Sequence, residues 1–156
     1  MRRNRNVFTP LEIKSAGFTL VEIMIVVAII ATLATIAILS MLRARLNANE
    51  VTAIAGCRTI ATGAQDYYVN AMPHSYPSSL GELSASTPPY VDSVLANGTR
   101  QGYLYTYSLE DAESFDLNAD PVTPGKTGER YFFVDETGVV KANKQQQATT
   151  NDPPVE

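Results

Sequence analysis

Cysteine is almost missing from these 156 residues: Cys57 stands alone, so no intramolecular disulfide can staple the chain. Histidine is equally scarce. His74 sits beside Pro73 with no second histidine to share an ion, the pattern of a structural or solvated side chain rather than a metal ligand. Gly-x-Ser-x-Gly elbows, phosphate-binding glycine loops and paired metal ligands are all absent. Plentiful serines alone do not make a catalyst, so neither an enzyme nor a cofactor is expected. Positive charge is in deficit, with 12 Lys and Arg against 16 Asp and Glu and a net charge of −4. An acidic exterior disfavours broad nucleic-acid binding. Proline and glycine are missing between Phe18 and Gly56, which removes any local cause for a break or kink there. No internal repeat suggests an array.

One long apolar run fills that interval. From Phe18 to Leu42 every residue is apolar, small or hydroxylated except Glu22. At about 1.5 Å rise per residue this makes a helix of roughly 37 Å, enough to cross a bilayer core. Its Leu, Ile, Val and Phe side chains each favour insertion by roughly 0.3 to 0.6 kcal/mol, and together they outweigh one acid near the end of the span. Four basic residues, Arg2, Arg3, Arg5 and Lys14, precede the run, and only Arg43 and Arg45 follow it closely. The positive-inside bias therefore holds the N-terminal segment in the cytoplasm and exports the rest.

Gly17-Phe18-Thr19-Leu20-Val21-Glu22, with a basic leader before it and the apolar run behind it, resembles the processing signal of type IV pilins and type II secretion pseudopilins. The resemblance implies that residues 1–17 are a leader, that a prepilin peptidase cuts between Gly17 and Phe18, that the new Phe18 amine is methylated, and that Glu22 is the carboxylate used in assembly. It also implies an inner-membrane platform protein and an assembly ATPase as partners, and a helical homopolymer as the product. Removing the leader, with its four cations and Glu12, would leave an acidic mature chain. Phe8-Thr9-Pro10-Leu11-Glu12 imitates the motif, but Val7 replaces the glycine and no apolar run follows. On physical grounds a carboxylate in hydrocarbon seeks a cation, and cleavage would create one at Phe18. An acid at a helix N-terminus is also favoured by the macrodipole alone.

Beyond Leu42 the helix is expected to continue amphipathically, with Leu46, Ala53, Ile54, Cys57, Ile60, Ala61, Ala64, Tyr67 and Tyr68 on one face. Gly56 and Gly63 are tolerable interruptions at about 1 kcal/mol each. Pro73, Pro77, Pro88 and Pro89 mark a loop region in which 78–83 and 91–96 form short helical turns. Asn97-Gly98 is first a turn signal. Four strands are expected, over 103–107, 115–119, 130–135 and 139–142, with Glu136-Thr137-Gly138 as a hairpin turn. The polar 121–128 loop should be exposed. The Gln-, Thr- and Pro-rich 144–156 should be a flexible tail.

The expected fold is α+β: a long N-terminal α-helix packed on a small antiparallel sheet, with a leader at 1–17, a membrane and assembly helix at 18–42, a head at 43–143 and the tail at 144–156. Long helix, proline-rich loop and terminal sheet match the pilin layout. Asp116, Asp120 and Asp135 could offer oxygen to calcium, but the Asp-Pro-Trp-Gly pattern that accompanies such loops in pseudopilins is missing, so no metal is expected. The tyrosines Tyr67, Tyr68, Tyr103, Tyr105 and Tyr107 are read as core packing rather than an electron path. The functional expectation is a filament subunit, passing from a single-span inner-membrane precursor to a surface pilus. A periplasmic secretion pseudopilin and a membrane-anchored binding domain that does not polymerise are the alternatives.

Overall fold

The computed structural model describes residues 17–155; residues 1–16, with the motif-like Phe8 to Glu12 and most of the expected leader 1–17, and Glu156 lie outside the described residues. The elements run α1 (Leu20–Asn70), α2 (Leu80–Ala85), α3 (Ser93–Ala96), β1 (Thr99–Arg100), β2 (Tyr103–Leu109), β3 (Phe115–Pro121), β4 (Tyr131–Asp135) and β5 (Lys141–Asn143). Contacts divide the chain into two compact units that meet at Leu39 and Ser40. The fold is α+β.

In the first unit α1 is continuous, as the absence of proline and glycine requires. Every described residue from Gly17 to Arg45 is exposed, and the most apolar 18-residue window of the helix has a mean hydropathy of 2.8. By length and composition it is able to cross a membrane. The hydroxyls inside the run turn back on their own backbone: Thr32 Oγ1 donates to Ile29 O at 2.8 Å and Thr35 Oγ1 to Ala31 O at 2.9 Å. Neither hydroxyl then asks water for a partner.

In the second unit the later turns of α1 bury Ala53, Cys57, Ile60, Ala61 and Ala64 in one core with Leu83, Leu95, Tyr103, Phe115, Leu117, Phe132 and Val134. Ile54, Tyr67 and Tyr68 are only partly buried at its margin. Three buried positions on this helix were not expected: Glu50, Gly56 and Gly63. The glycines are close approaches rather than tolerated interruptions. A Cβ at Gly56 would overlap the Tyr105 hydroxyl, and one at Gly63 would lie 2.9 Å from Val91 Cγ2 and 3.2 Å from Tyr90 O.

The sheet is an antiparallel meander in the order β1-β2-β3-β4-β5, with Tyr105 opposite Ala119, Leu117 opposite Val134 and Phe132 opposite Ala142. It has five strands where the alternation pattern predicts four. The extra one, β1, is only two residues long, too short to show a period, and Gln101 and Gly102, at φ 47° and 77°, turn it directly into β2. The last strand begins at Lys141 rather than Val139, because Gly138, at φ 71°, still belongs to the turn that returns its N–H to Asp135 O at 2.9 Å.

The C-terminal segment also departs from expectation. Residues 144–155 are not a loose tail but a strap held against the sheet. Ala148 is buried, and its carbonyl accepts from Asn118 Nδ2 at 2.9 Å. Asp152 accepts from Asn143 Nδ2 at 2.8 Å and from Thr149 N at 2.7 Å. Phe133 lies on the face of β4 opposite Phe132 and Val134, outside the core cluster, yet is buried. Low hydrophobicity misleads here because the strap is held by side-chain amides and carboxylates answering backbone groups, a form of order that composition does not register.

Candidate processing and assembly site

Thr19 and Glu22 begin α1 as a reciprocal pair. Glu22 N donates to Thr19 Oγ1 at 3.2 Å, while Glu22 Oε2 accepts from Thr19 N at 2.8 Å and from Thr19 Oγ1 at 2.7 Å. With Leu20 as the first helical residue, Thr19 is the N-cap and Glu22 the third residue of the helix, so the two form a capping box. Thr-x-x-Glu before an apolar run is a sequence signal for this box that the processing motif overlies. The carboxylate therefore has a local partner in the single chain, beyond any help from the macrodipole.

Gly17 and Phe18 lie just outside the helix and are exposed, Phe18 by 81%. Among the described residues a Cβ on Gly17 would meet nothing within 4 Å. No described residue packs where a side chain at this position would begin. Leu42, at the far end of the run, is exposed too.

The remaining candidates do not come together as a site. His74 is exposed, its ring stacked on Tyr68 at 5.4 Å with Nδ1 3.0 Å from Tyr68 O. Asp116 and Asp135 are cross-strand neighbours, but Asp135 is claimed by Lys141 at 2.9 Å and by Thr137, and Asp120 by Gln147 at 2.8 Å. Among the described residues no group of three or more His, Cys, Asp or Glu could hold a metal ion. Cys57 is fully buried, and burial, with Asp120 nearby, pushes its thiol up to about 12. Tyr103 and Tyr105 are core residues. Burial raises both phenols; the Tyr103 hydroxyl donates to Arg130 O at 2.8 Å and that of Tyr105 to Ala53 O at 3.4 Å.

Glu50 is the buried residue of α1 that the sequence pattern foretells least. Its carboxylate, 8% exposed, accepts from Arg130 Nε at 2.7 Å and from the backbone N–H groups of Glu129 and Arg130 at 2.9 and 3.2 Å. One helical acid thereby fixes the entry to β4. No helical period predicts a glutamate on the buried face.

An apolar helix, exposed from Gly17 to Arg45 and long enough to cross a membrane, is opened by a capped acid and followed by a small α+β head. Residues 13–38 match the family model of the prokaryotic N-terminal methylation motif. The chain therefore carries the signature of prepilin-type precursors, the type IV pilins and pseudopilins, which are structural rather than catalytic proteins. No curated protein and no solved structure matches the chain significantly.

Proposed function

We propose that this precursor becomes a structural subunit of a type IV pilus-like filament. A prepilin peptidase cuts between Gly17 and Phe18, the Phe18 amine is methylated, and subunits move from the inner membrane into a polymer through residues 18–42. The observation that carries the reading is the conjunction of the methylation motif at 13–38 with a helix whose side chains are all exposed through Arg45. Such a surface needs lipid or neighbouring helices, and it can exchange one for the other because both are apolar. Head-to-tail contacts of this kind are heterologous and need not close, as filament growth requires. An ATPase and a platform protein of the inner membrane would drive the exchange.

In this scheme Glu22 has two roles in sequence: capping its own helix in the monomer, then meeting the freed Phe18 amine of a neighbour. The roles are separable. Glu22→Gln keeps a side chain that can serve a capping box but removes the charge, whereas Thr19→Ala removes the cap and keeps the charge. Expected are processed but unpolymerised subunits for Glu22→Gln and retained filaments for Thr19→Ala. Normal filaments from Glu22→Gln would refute the assembly role. Mass spectrometry of the native N-terminus tests the rest: methylated Phe18 is expected, and an intact Met1 would overturn it. Imaging surface filaments, against a secretion defect without filaments, separates the pilus from a secretion pseudopilus.

A further inference from the structure

Eight cations remain after Gly17, and five of them, Arg43, Arg45, Lys126, Arg130 and Lys144, line two hollows on either side of the first turns of α1 beyond the apolar run. Arg43, Arg130 and Lys144 line one hollow with Glu50 and Glu129; Arg45 and Lys126 line the other with Met41. Five cations against two carboxylates leave a net +3 on this collar. The rest of the chain after Gly17 has three cations and, once Glu50, Glu129 and the leader's Glu12 are set aside, thirteen acids. Arg130 is answered by Glu50, but among the described residues Arg43, Arg45, Lys126 and Lys144 are in no ion pair. Met41 belongs to the apolar run itself, so the collar begins where hydrocarbon would end. Lys126, Arg130 and Lys144 are far from the run in sequence and do not enter the charge count that orients a span; folding alone brings them beside the turns of α1 from Met41 to Glu50.

We propose that this collar is a docking surface for the phosphate headgroups of anionic phospholipids on the exported side of the membrane, holding the head on the bilayer until the subunit is extracted. The inference rests on the reading of residues 18–42 as a membrane span. A cation close to an anionic membrane surface strengthens binding about fivefold at low salt, and the effect fades within a Debye length of roughly 8 to 10 Å as salt rises. Only a surface this near the lipid can use it.

The full-length precursor in a nonionic detergent, given equal amounts of phosphatidylglycerol and phosphatidylcholine with identical acyl chains, tests the assignment by native mass spectrometry of retained lipid. Phosphatidylglycerol should be retained at least about tenfold over phosphatidylcholine. The combined Arg43→Gln, Arg45→Gln, Lys126→Gln and Lys144→Gln variant should bring the ratio within about twofold, with the circular dichroism of the fold unchanged. Equal retention by the parent protein, or a preference that survives in the variant, would overturn the proposal; so would a preference abolished by millimolar inorganic phosphate, which would mark a site for the free anion. Should the combined variant lose its fold, single Lys126→Gln and Lys144→Gln variants must each lower the preference, or the proposal fails. Flotation with pure phosphatidylcholine vesicles reads the span separately. A protein that floats without headgroup preference loses the collar assignment alone, whereas one that does not float loses the membrane reading beneath it.

Discussion

Replacing Glu50 by alanine should be the most damaging single change available on α1. The carboxylate answers two backbone N–H groups and the Arg130 guanidinium at 2.7 to 3.2 Å. Alanine leaves both N–H groups without an acceptor, at about 1 to 3 kcal/mol each if water cannot reach them. It also strands Arg130, and breaking a buried pair costs about 3 to 5 kcal/mol. Because Arg130 retains 31% side-chain exposure, water recovers part of this, and a loss of about 3 kcal/mol is expected. For a head of this size that corresponds to a fall in Tm of roughly 10 to 15 °C. Glu50→Gln keeps an acceptor for the N–H groups and should lose only about 1 to 2 kcal/mol, whereas Arg130→Ala leaves the buried carboxylate its two N–H partners but no cation and should lose about 2 kcal/mol. Near-ultraviolet circular dichroism of the buried tyrosines, in full-length protein held in detergent, follows the head without interference from the exposed part of the helix. An alanine variant melting within about 3 °C of the parent, or Arg130→Ala doing more harm than Glu50→Ala, would refute the claim that this acid fastens the loop to the helix.

Gly56→Ala should lower Tm even though alanine is favoured in a helix by about 1 kcal/mol, because the methyl meets Tyr105 and overpacking costs about 1 to 3 kcal/mol; Gly81→Ala, where the nearest atom would be Ser79 Oγ at 3.5 Å, is the control and should not destabilise. Cys57, its thiol pushed up to about 12 by burial, should resist iodoacetamide in the folded protein at pH 8 and react completely once unfolded, as mass spectrometry would show. Burial raises the Asp135 carboxyl, but Thr137 and Lys141 outweigh it and hold it below the ordinary carboxylate range. Its contribution to stability is therefore present above about pH 4 and lost as pH falls further, so Asp135→Asn should lower Tm at pH 7 and converge with the parent near pH 2. Asp116 has the opposite sign: burial first, then Glu110, Asp135 and Glu136, raise its carboxyl. Asp116→Asn should thus raise Tm at pH 7, and the gain should vanish below about pH 4.

Features that depend on period or on a single residue's backbone preference were legible in the sequence. The apolar run, the buried face from Ala53 to Ala64, the alternation of Tyr103, Tyr105 and Tyr107, and the turn at Gly138 all belong to this kind. What escaped depends on pairs of residues distant in the chain. Glu50 is an anomaly on its helix until Arg130, 80 positions later, supplies the counterion. Gly56 and Gly63 look like weak points until Tyr105 and Val91 arrive against them. The strap from Lys144 onward reads as disorder because its order lies in contacts such as Asn118 to Ala148. Thr19 is different: its capping box was local and readable, but Glu22 beside it already had an explanation.

The strap also decides what the β5 edge of the sheet can offer to others. On the side of β5 away from β4, Ala142 N donates to Pro153 O at 3.0 Å and Val155 N to Val140 O at 2.8 Å, with a bridge between Lys141 and Pro154. At the β5 margin, the place where a foreign strand could be stitched on is already taken by residues 153–155. Strand donation at β5 would first have to peel residues 153–155 away, so a peptide inserted after Val155 should carry a spacer, or it will compete with that seam.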